Sequence, residues 1–219
     1  MSKRIFITGT GTDIGKTYIT ALIIKKMNEE GKNVAYYKAA MSGNDRDADG
    51  NLIPGDALHV KTVSGIEQSL ESMCPYVYEN AYSPHLASKI EGNPVELSVV
   101  LEGFDKLDSH YDYVISEGSG GILCPLRCDD KRIQLEDFVK ARDMECIIVA
   151  DAGLGTINSV VLTVDYMKRK NIAIKGLIFN NYEPTNILHI DNIVMCEMMT
   201  GLETLACVER NAESIIIDI

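Results

Sequence analysis

The chain has no long apolar run, and this absence sets the first limits on its class. No stretch of about 18 apolar residues occurs among the 219 residues, so no transmembrane helix is expected. The first four residues lead into a predicted strand without the apolar stretch and cleavage site that a secretory signal requires. We therefore expect a cytoplasmic protein with no membrane partner.

Positive charge is also scarce. The sequence has 21 lysines and arginines against 32 aspartates and glutamates, which gives a formal net charge of −11 at pH 7. Such an excess of negative charge argues against binding to nucleic acid or to an anionic membrane. An acidic protein that binds a polyphosphate must therefore do so with local positive features: lysines, a helix N-terminus and a metal ion.

Recognisable thiol or histidine sites are missing too. The six cysteines form no C-x-x-C pair, and no histidine near Cys124 and Cys128 completes a zinc set. We expect reduced, mostly buried thiols. The four histidines are scattered, with no Ser-His-Asp or Cys-His order, so none is assigned a catalytic role.

The sequence does contain a phosphate-binding motif near its start. Residues 4–17 read RIFITGTGTDIGKT, which is an apolar run, a glycine-rich turn and Gly-Lys-Thr before a predicted helix. The strict pattern G-x-x-x-x-G-K-[ST] needs glycine where Thr10 stands, so the loop is a close variant. Lys16 is predicted to reach the β- and γ-phosphates, and the Thr17 hydroxyl to ligate Mg²⁺. A helix start that merely contains Gly-Lys-Thr is the alternative.

Predicted strands and helices alternate along the whole chain. This order predicts an α/β fold with a mostly parallel sheet flanked by helices, of the P-loop NTPase type. Because 219 residues suit one sizeable core, we expect a single domain over 1–219. The predicted strands cover 4–8, 33–38, 111–115, 145–150 and 172–180, with a further candidate at 204–208. The predicted helices cover 17–30, 56–63, 84–90, 95–107, 135–142, 156–170 and 186–200.

Polar residues at the predicted strand ends are the next candidates, because ligands of parallel sheets lie beyond the carboxyl ends of the strands. Lys38 ends the second strand and either meets the γ-phosphate or extends along the surface to water. Glu117 follows the third strand and either helps to hold Mg²⁺ or belongs to an ordinary turn. Asp56 opens a helix, as a simple N-cap or as a third oxygen ligand beside Thr17 and Glu117.

Two later strand ends carry weaker signals. The glycines before Thr156 predict a second anion site at a helix start, or else a tight turn with a cap. Asn180 offers a paired donor and acceptor that suits an adenine edge, although asparagine is also common in turns.

Together these motifs resemble the dethiobiotin synthetases, the ATP-dependent cyclo-ligases of biotin biosynthesis. Residues 8–17 resemble the T-G-T-x-T-x-x-G-K-T loop of that family, and residues 38–43, KAAMSG, resemble K-P-x-x-[ST]-G. Residues 55–57 resemble S-D-A, residues 117–121, EGSGG, resemble E-G-A-G-G, and weaker matches lie at 155–158 and 180–184. The chain departs from these patterns at Ala39, at Ser116 and Ser119, and in residues 206–210, which lack a proline.

The resemblance implies a reaction of 7,8-diaminopelargonate with CO₂ and MgATP in a homodimer. One amine becomes a carbamate, the carbamate attacks the γ-phosphate to give a carbamic–phosphoric anhydride, and the second amine closes the ureido ring. The implied catalytic residues are Thr12, Lys16, Lys38 and Ser42. The implied nucleotide-binding residues are Asp13, Ile14, Gly15, Lys16, Thr17, Tyr18, Asp56, Glu117, Gly118, Ser119, Gly120 and Asn180. The implied metal ligands are Thr17, Asp56 and Glu117, and the implied diamine-binding residues are Ser42, Gly155, Thr156, Ile157 and Asn158, the last four reaching across the dimer interface.

Two other functions remain open from the sequence. A related cobyrinate-type amide synthetase would act on a carboxylate, but the chain has no glutaminase-like second domain. A nucleotide-switched ATPase that binds a partner protein would carry a second lysine where this chain has Gly11.

Overall fold

Helices cover both faces of one parallel β-sheet in this protein, as seen in a computed structural model that describes residues 2–219. The strands are β1 (Lys3–Gly9), β2 (Val34–Lys38), β3 (Tyr113–Glu117), β4 (Pro125–Cys128), β5 (Arg132–Gln134), β6 (Glu145–Asp151), β7 (Ile174–Tyr182) and β8 (Thr204–Glu209). The helices are α1 (Lys16–Glu29), α2 (Gly55–Ser64), α3 (Leu70–Met73), α4 (Pro84–Ile90), α5 (Leu97–Asp108), α6 (Leu135–Ala141), α7 (Thr156–Arg169) and α8 (Ile187–Thr200).

The order of strands in the sheet is β2-β3-β1-β6-β7-β8, and every neighbouring pair is parallel. The predicted fold class is therefore confirmed. Because all six strands run the same way, their carboxyl ends lie along one edge of the sheet, and β1 stands between β3 and β6. The phosphate loop at the end of β1 thus has the ends of β3 and β2 on one side and the end of β6 on the other.

The apolar run of β1 is buried on both faces, as expected for a central parallel strand. Ile5, Phe6 and Ile7 are all fully buried. Phe6 belongs to a first apolar cluster under α5, α6, α7 and α8. Ile5 and Ile7 belong to a second cluster under α1, α2 and the C-terminal segment. This burial explains why β1 reads as a continuous apolar run rather than as an alternating one.

Three differences from the sequence prediction concern the middle of the chain. Strand β3 ends two residues later than predicted, because Glu117 is paired with Ile7 of β1 and with Lys38 of β2. The short helix α3 and the antiparallel hairpin of β4 and β5 were not predicted. That hairpin is fixed by Arg127, which is 8% exposed and forms ion pairs with Glu96, Asp129 and Asp130. Ion pairs leave no periodic apolar pattern in the sequence.

The sequence predicted reduced, mostly buried cysteines and no transmembrane helix. All six cysteines are free thiols; four are buried, while Cys128 and Cys207 are exposed, although Cys207 lies in an apolar run. Within the described part of the chain, every helix is too short or too polar to cross a lipid bilayer.

The hydroxyl of Ser116 is an unsatisfied polar group in the first cluster. Ser116 is fully buried between Phe6 and Tyr37 on the neighbouring strands, and its Oγ has no hydrogen-bond partner. A buried polar group without a partner costs ~1–3 kcal/mol. We expect Ser116→Ala to raise the free energy of unfolding by about 1 kcal/mol, measured by urea denaturation. Ser64→Ala is the matched control, because the buried Ser64 hydroxyl donates to the Val60 carbonyl; equal gains in both variants would contradict this explanation.

Candidate active site

A cavity of about 1140 Å³ lies at the carboxyl ends of β1, β2 and β3. It brings together most of the residues that the sequence predicted from separate motifs. The predicted residues that line it are Thr12, Asp13, Gly15, Lys16, Thr17, Tyr18, Lys38, Ser42, Asp56, Glu117, Ser119 and Gly120. The structure therefore joins the phosphate loop, the end of β2, the start of α2 and the turn after β3 in one site.

The loop between β1 and α1 has the geometry of a phosphate cradle. Gly15 precedes the helix with a φ of 89°, and a Cβ there would lie 2.1 Å from Nδ2 of Asn180, so only glycine fits. The Lys16 ammonium curls back over the loop and donates to the Gly11 carbonyl at 2.8 Å. Lys16 is 7% exposed, and burial lowers the pKa of its ammonium despite the opposing attraction of Glu117. The loop thus presents a buried cation and a helix N-terminus, both of which favour an anion.

Lys38 lies at the centre of a charged network. Its Nζ donates to Oδ2 of Asp56 at 2.5 Å and to Oε1 of Glu117 at 2.7 Å. Burial alone would lower the pKa of Lys38, but the attraction of Glu117 and Asp56 outweighs it, so the pKa lies above the usual lysine value. Burial likewise acts to raise the pKa of Asp56, but the Lys38 charge holds it below its usual value. Lys38 is therefore a buried, fully charged lysine and not one extended along the surface.

Glu117 accepts hydrogen bonds from three side chains on two elements, β2 and α1. Besides Lys38, the Thr17 hydroxyl donates to its Oε1 at 2.8 Å, and the Tyr36 hydroxyl donates to its Oε2 at 3.1 Å. Glu117 itself is fully buried, so these donors fix its orientation. The sequence analysis missed Tyr36. The signal was available, since residues two apart in a strand lie on the same face, and Tyr36 stands two residues before Lys38 in β2.

The donor set at this point suits a hard divalent cation. The carboxylates of Glu117 and Asp56 bind the Lys38 ammonium, and the Thr17 hydroxyl donates to the same Glu117 oxygen, so these protein oxygens already hold a positive charge. Among residues 2–219, no group of three or more His, Cys, Asp or Glu side chains could hold a metal alone. Mg²⁺ is usually held by one or two carboxylates together with substrate phosphates and water, so the residues present fit that ion.

Two hydroxyls near the lysine differ in their partners. Ser42 lines the cavity, and its Oγ is buried without a hydrogen-bond partner, so it is free to bind a polar ligand. The Ser119 hydroxyl instead donates to the Ala40 carbonyl at 2.7 Å. Ser119 can therefore offer a ligand its backbone N–H, whereas its side chain joins two loops of the protein.

Three of the predicted nucleotide-binding residues do not line this cavity. Nδ2 of Asn180 donates to the Ile14 carbonyl at 3.0 Å, which leaves Asn180 Oδ1 buried and without a partner. Gly118 is needed for packing, because a Cβ there would lie 3.0 Å from Leu135 and 3.2 Å from Phe6. Ile14 packs against the second apolar cluster. Asn180 and Ile14 thus support the phosphate loop from behind.

Residues 155–158 lie at a different site. They surround the start of α7, and three of them line a separate cavity of about 460 Å³, most of whose other lining residues are apolar. Thr156 is buried and its Oγ1 has no partner, while Leu154 beside it is 91% exposed. Within one chain, then, the structure does not bring residues 155–158 into the large cavity.

The far wall of the large cavity contains residues that the sequence analysis did not single out. His59 follows Asp56 by one helical turn in α2, and Tyr82 and Leu123 come from the loops before α4 and β4. Asp56 gave the signal for His59, because residues three apart in a helix lie on the same face. No local sequence pattern identifies Tyr82 or Leu123, because residues in irregular loops have no periodic spacing that indicates where their side chains lie.

Comparison with known proteins gives a consistent result. A family model described as an AAA domain matches residues 3–215. An ATP-dependent dethiobiotin synthetase of Brachyspira hyodysenteriae is 46% identical over 98% of this chain and 99% of its own length. Enzymes of the same name from Clostridium perfringens and Clostridium novyi are 41% and 45% identical, and each match covers 96% of this chain.

Solved structures at lower identity share the fold. One chain in the structure of the MinC:MinD cell division protein complex of Aquifex aeolicus is similar to this one, with a TM-score of 0.60 and 14% identity. The match covers 95% of this chain and 82% of that chain. A ParA family ATPase from Chlorobium tepidum matches 96% of this chain and 85% of its own, with a TM-score of 0.54 and 16% identity. At such identities the similarity concerns the fold alone, whereas the curated relatives are similar over nearly their whole length. The chain therefore belongs to the ATP-dependent dethiobiotin synthetase family, within the larger set of proteins that carry this AAA domain.

Proposed function

We propose that the protein makes dethiobiotin from 7,8-diaminopelargonate, CO₂ and ATP. The observation that carries the proposal is the meeting of Lys16, Lys38 and the Thr17–Glu117–Asp56 oxygens in one cavity. A buried cation at the phosphate loop and a second at the neighbouring strand end suit a reaction between a triphosphate and an anionic acceptor. High identity to dethiobiotin synthetases supports the same conclusion.

The reaction balances in three steps. One amine of the substrate adds to CO₂ and loses a proton, which gives a carbamate anion. A carbamate oxygen attacks the γ-phosphorus, the bond to the β-phosphate oxygen breaks, and ADP leaves. The second amine then attacks the carbamoyl carbon, phosphate leaves with the bonding electron pair, and loss of the amine proton completes the ureido ring.

The protein contributes mainly placement and charge stabilisation, as in other phosphoryl transfers. In our proposal Lys16 holds the β- and γ-phosphates, and Lys38 turns from its carboxylate partners toward the carbamate and the transferring phosphoryl group. Thr12 and the unpartnered Ser42 hydroxyl bind the carbamate or the diamine. Thr17, Asp56 and Glu117 would hold Mg²⁺, which supplies charge neutralisation at the phosphates when bound.

Recognition of the base is assigned to Asn180. Its amide nitrogen is already used by the Ile14 carbonyl, and its buried Oδ1 has no partner. An acceptor in that position suits the N6 amino group of adenine. The Tyr18 hydroxyl, which donates to the Ala212 carbonyl, would keep the C-terminal segment beside the start of α1.

A homodimer would complete the diamine site. Residues 155–158 lie outside the large cavity of their own chain, beside an exposed apolar surface that includes Leu154 and Leu162. Contact between two such surfaces would bury them and bring the start of α7 to the partner's cavity, where its N-terminus favours the substrate carboxylate.

Variants at the start of α7 test this arrangement. We expect Thr156→Val to weaken diamine binding about tenfold, because it removes the hydroxyl that would donate a charge-assisted hydrogen bond to the substrate carboxylate. ATP binding should stay nearly intact. Isothermal titration with each ligand measures both affinities. Equal losses for the two ligands would contradict a role confined to the diamine carboxylate.

The function itself is tested by an ATPase assay. ATP hydrolysis should require 7,8-diaminopelargonate and bicarbonate together, and ¹⁴C from labelled bicarbonate should enter an acid-stable product. A nucleotide-switched ATPase would instead hydrolyse ATP without the diamine and fix no label, and that result would overturn the proposal.

A further inference from the structure

One side-chain hydrogen bond joins two loops that the proposed reaction uses. We call residues 39–43, which follow Lys38, the lysine loop, and residues 118–121, which follow Glu117, the glycine turn. The Ser119 hydroxyl in the glycine turn donates to the Ala40 carbonyl in the lysine loop at 2.7 Å. We propose that Ser119 is a positioning residue that holds Lys38 and Ser42 in register with the phosphate loop. This inference rests on the proposed function.

The need for such a bond follows from where the sheet ends. Lys38 and Glu117 are the last paired residues of β2 and β3, so the regular pairing of the two strands ends there. The lysine loop begins with Ala39 and Ala40, which are buried in the first apolar cluster but have no polar side-chain atom to bond the glycine turn. Within residues 2–219, no other hydrogen bond joins the lysine loop to the glycine turn.

The other side of the lysine loop is fastened independently. Met41 exchanges two backbone hydrogen bonds with the strand-like segment beyond it: its N–H donates to Tyr76 and its carbonyl accepts from Tyr78, each at 2.8 Å. The N–H of Gly43 donates to the Asn80 carbonyl at 3.2 Å. These bonds fix the loop to its outer neighbour, so loss of the Ser119 bond would leave the sheet side of the loop held by apolar packing, without a directional contact to the glycine turn.

The glycine turn is a firm support because it rests on the phosphate loop. A Cβ at Gly121 would lie 3.3 Å from the Gly9 carbonyl, and one at Gly120 would lie 3.7 Å from the Thr12 hydroxyl. The backbone N–H of Gly118 donates to the Ile7 carbonyl of β1. The Ser119 hydrogen bond thus fixes the position of the lysine loop relative to the phosphate loop, which would hold the triphosphate.

Loss of the Ser119 hydroxyl should affect the reaction of the diamine and not the binding of ATP. Ala40 lies two residues from both Lys38 and Ser42, the groups assigned to the carbamate and the diamine. A small displacement of these groups costs rate, because phosphoryl transfer depends on alignment of the reacting atoms. The phosphate loop has its own support from β1 and Asn180, so ATP binding should be insensitive to the Ser119 hydroxyl.

The test compares Ser119→Ala, which removes the hydroxyl, with Ser119→Thr, which keeps it. We expect S119A to lower kcat/KM for the diamine about 3- to 10-fold, the usual worth of one hydrogen bond. Its KM for ATP and its urea midpoint should stay close to those of the wild type. S119T should recover at least half of the lost rate. Ser109→Ala, at a remote serine whose hydroxyl also donates to a backbone carbonyl, is the control and should behave as wild type.

Two results would overturn the inference. One is S119A with wild-type kinetics for the diamine. The other is a parallel loss in the diamine and ATP parameters with a lower urea midpoint, which would mean a general structural role. A wild-type protein without diamine-dependent ATP hydrolysis would instead contradict the proposed function, so the two failures are distinguishable.

Discussion

Replacement of Lys38 by methionine should lose both stability and activity. Lys38 is 5% exposed, and its ammonium is the partner of Asp56 and of the fully buried Glu117. Methionine keeps the unbranched apolar part of the side chain but leaves the Glu117 carboxylate uncompensated, and removing one partner of a buried ion pair costs ~3–5 kcal/mol. We expect a loss near the lower end, about 3 kcal/mol, because Thr17 and Tyr36 still donate to Glu117. Urea denaturation measures it.

The catalytic loss from Lys38→Met should be about 10²-fold or more in kcat/KM, if the ammonium stabilises the transferring phosphoryl group. The double variant Lys38→Met with Glu117→Gln separates the two effects. It removes the uncompensated carboxylate, so it should recover most of the stability and none of the activity. Lys32→Met is the control, because Lys32 pairs with Glu30 at the surface, where such pairs contribute ~0–1 kcal/mol. A K38M variant as stable as K32M would contradict the buried network.

The contribution of the Lys38 charge to the free energy of unfolding should decrease only at high pH. Because the pKa of Lys38 in the folded protein lies above the ordinary lysine value, its stabilising effect is fully present below pH about 10.4. It is lost only as the pH rises through the folded-state pKa. The difference in unfolding free energy between wild type and K38M should therefore not decline between pH 7 and 9 through titration of Lys38.

Replacement of Lys16 by glutamine should reduce kcat/KM by about 10²-fold or more while leaving the protein as stable as the wild type. The catalytic part follows from the place of Lys16 over the phosphate loop, where loss of its charge would remove about 3 kcal/mol of transition-state stabilisation. The structural part follows from the pKa of Lys16, which burial lowers. A lowered lysine pKa means that the charged form is disfavoured in the folded state, so its removal releases that cost.

The two lysines thus form a matched pair: replacement of Lys38 should destabilise the protein, and replacement of Lys16 should not. Steady-state kinetics and urea denaturation on K16Q and K38M, measured side by side, test the difference. Lys25→Gln is the control for K16Q, since Lys25 lies on the same helix and its ammonium donates to the Glu213 carbonyl at the surface. An unchanged rate in K16Q would remove Lys16 from the mechanism, and a large loss of stability would contradict the assigned effect of burial.

Much of the fold followed from local sequence patterns. The apolar run of β1, the glycine-rich turn and the amphipathic α1 predicted the phosphate loop, because each depends on residues adjacent in the chain. The strand-end residues Lys38 and Glu117 could be identified in the same way. Their direct contact could not, because it requires β2 to lie beside β3, and the order of strands is set by crossover connections that leave no local pattern.

Residues 155–158, predicted as a second anion site, lie away from the phosphate loop of their own chain for the same reason. They follow β6, which lies on the opposite side of β1 from β3 and β2. The order of strand ends along the chain does not give their distance along the sheet edge, so the sequence could not show how far this second site lies from the phosphate loop. Asn180 is a related case. Its amide donates to the Ile14 carbonyl from two strands away, and this contact could be predicted only if the positions of β6 and β7 in the sheet were known.

The most direct test of the account is a crystal structure with a non-hydrolysable ATP analogue, Mg²⁺ and the diamine. The account predicts that the triphosphate occupies the turn between β1 and α1, with the metal on Thr17, Asp56 and Glu117. It also predicts that the Lys38 ammonium has moved from the carboxylates toward the γ-phosphate. A triphosphate bound elsewhere, or a Lys38 side chain directed away from it into solvent, would contradict the central claim.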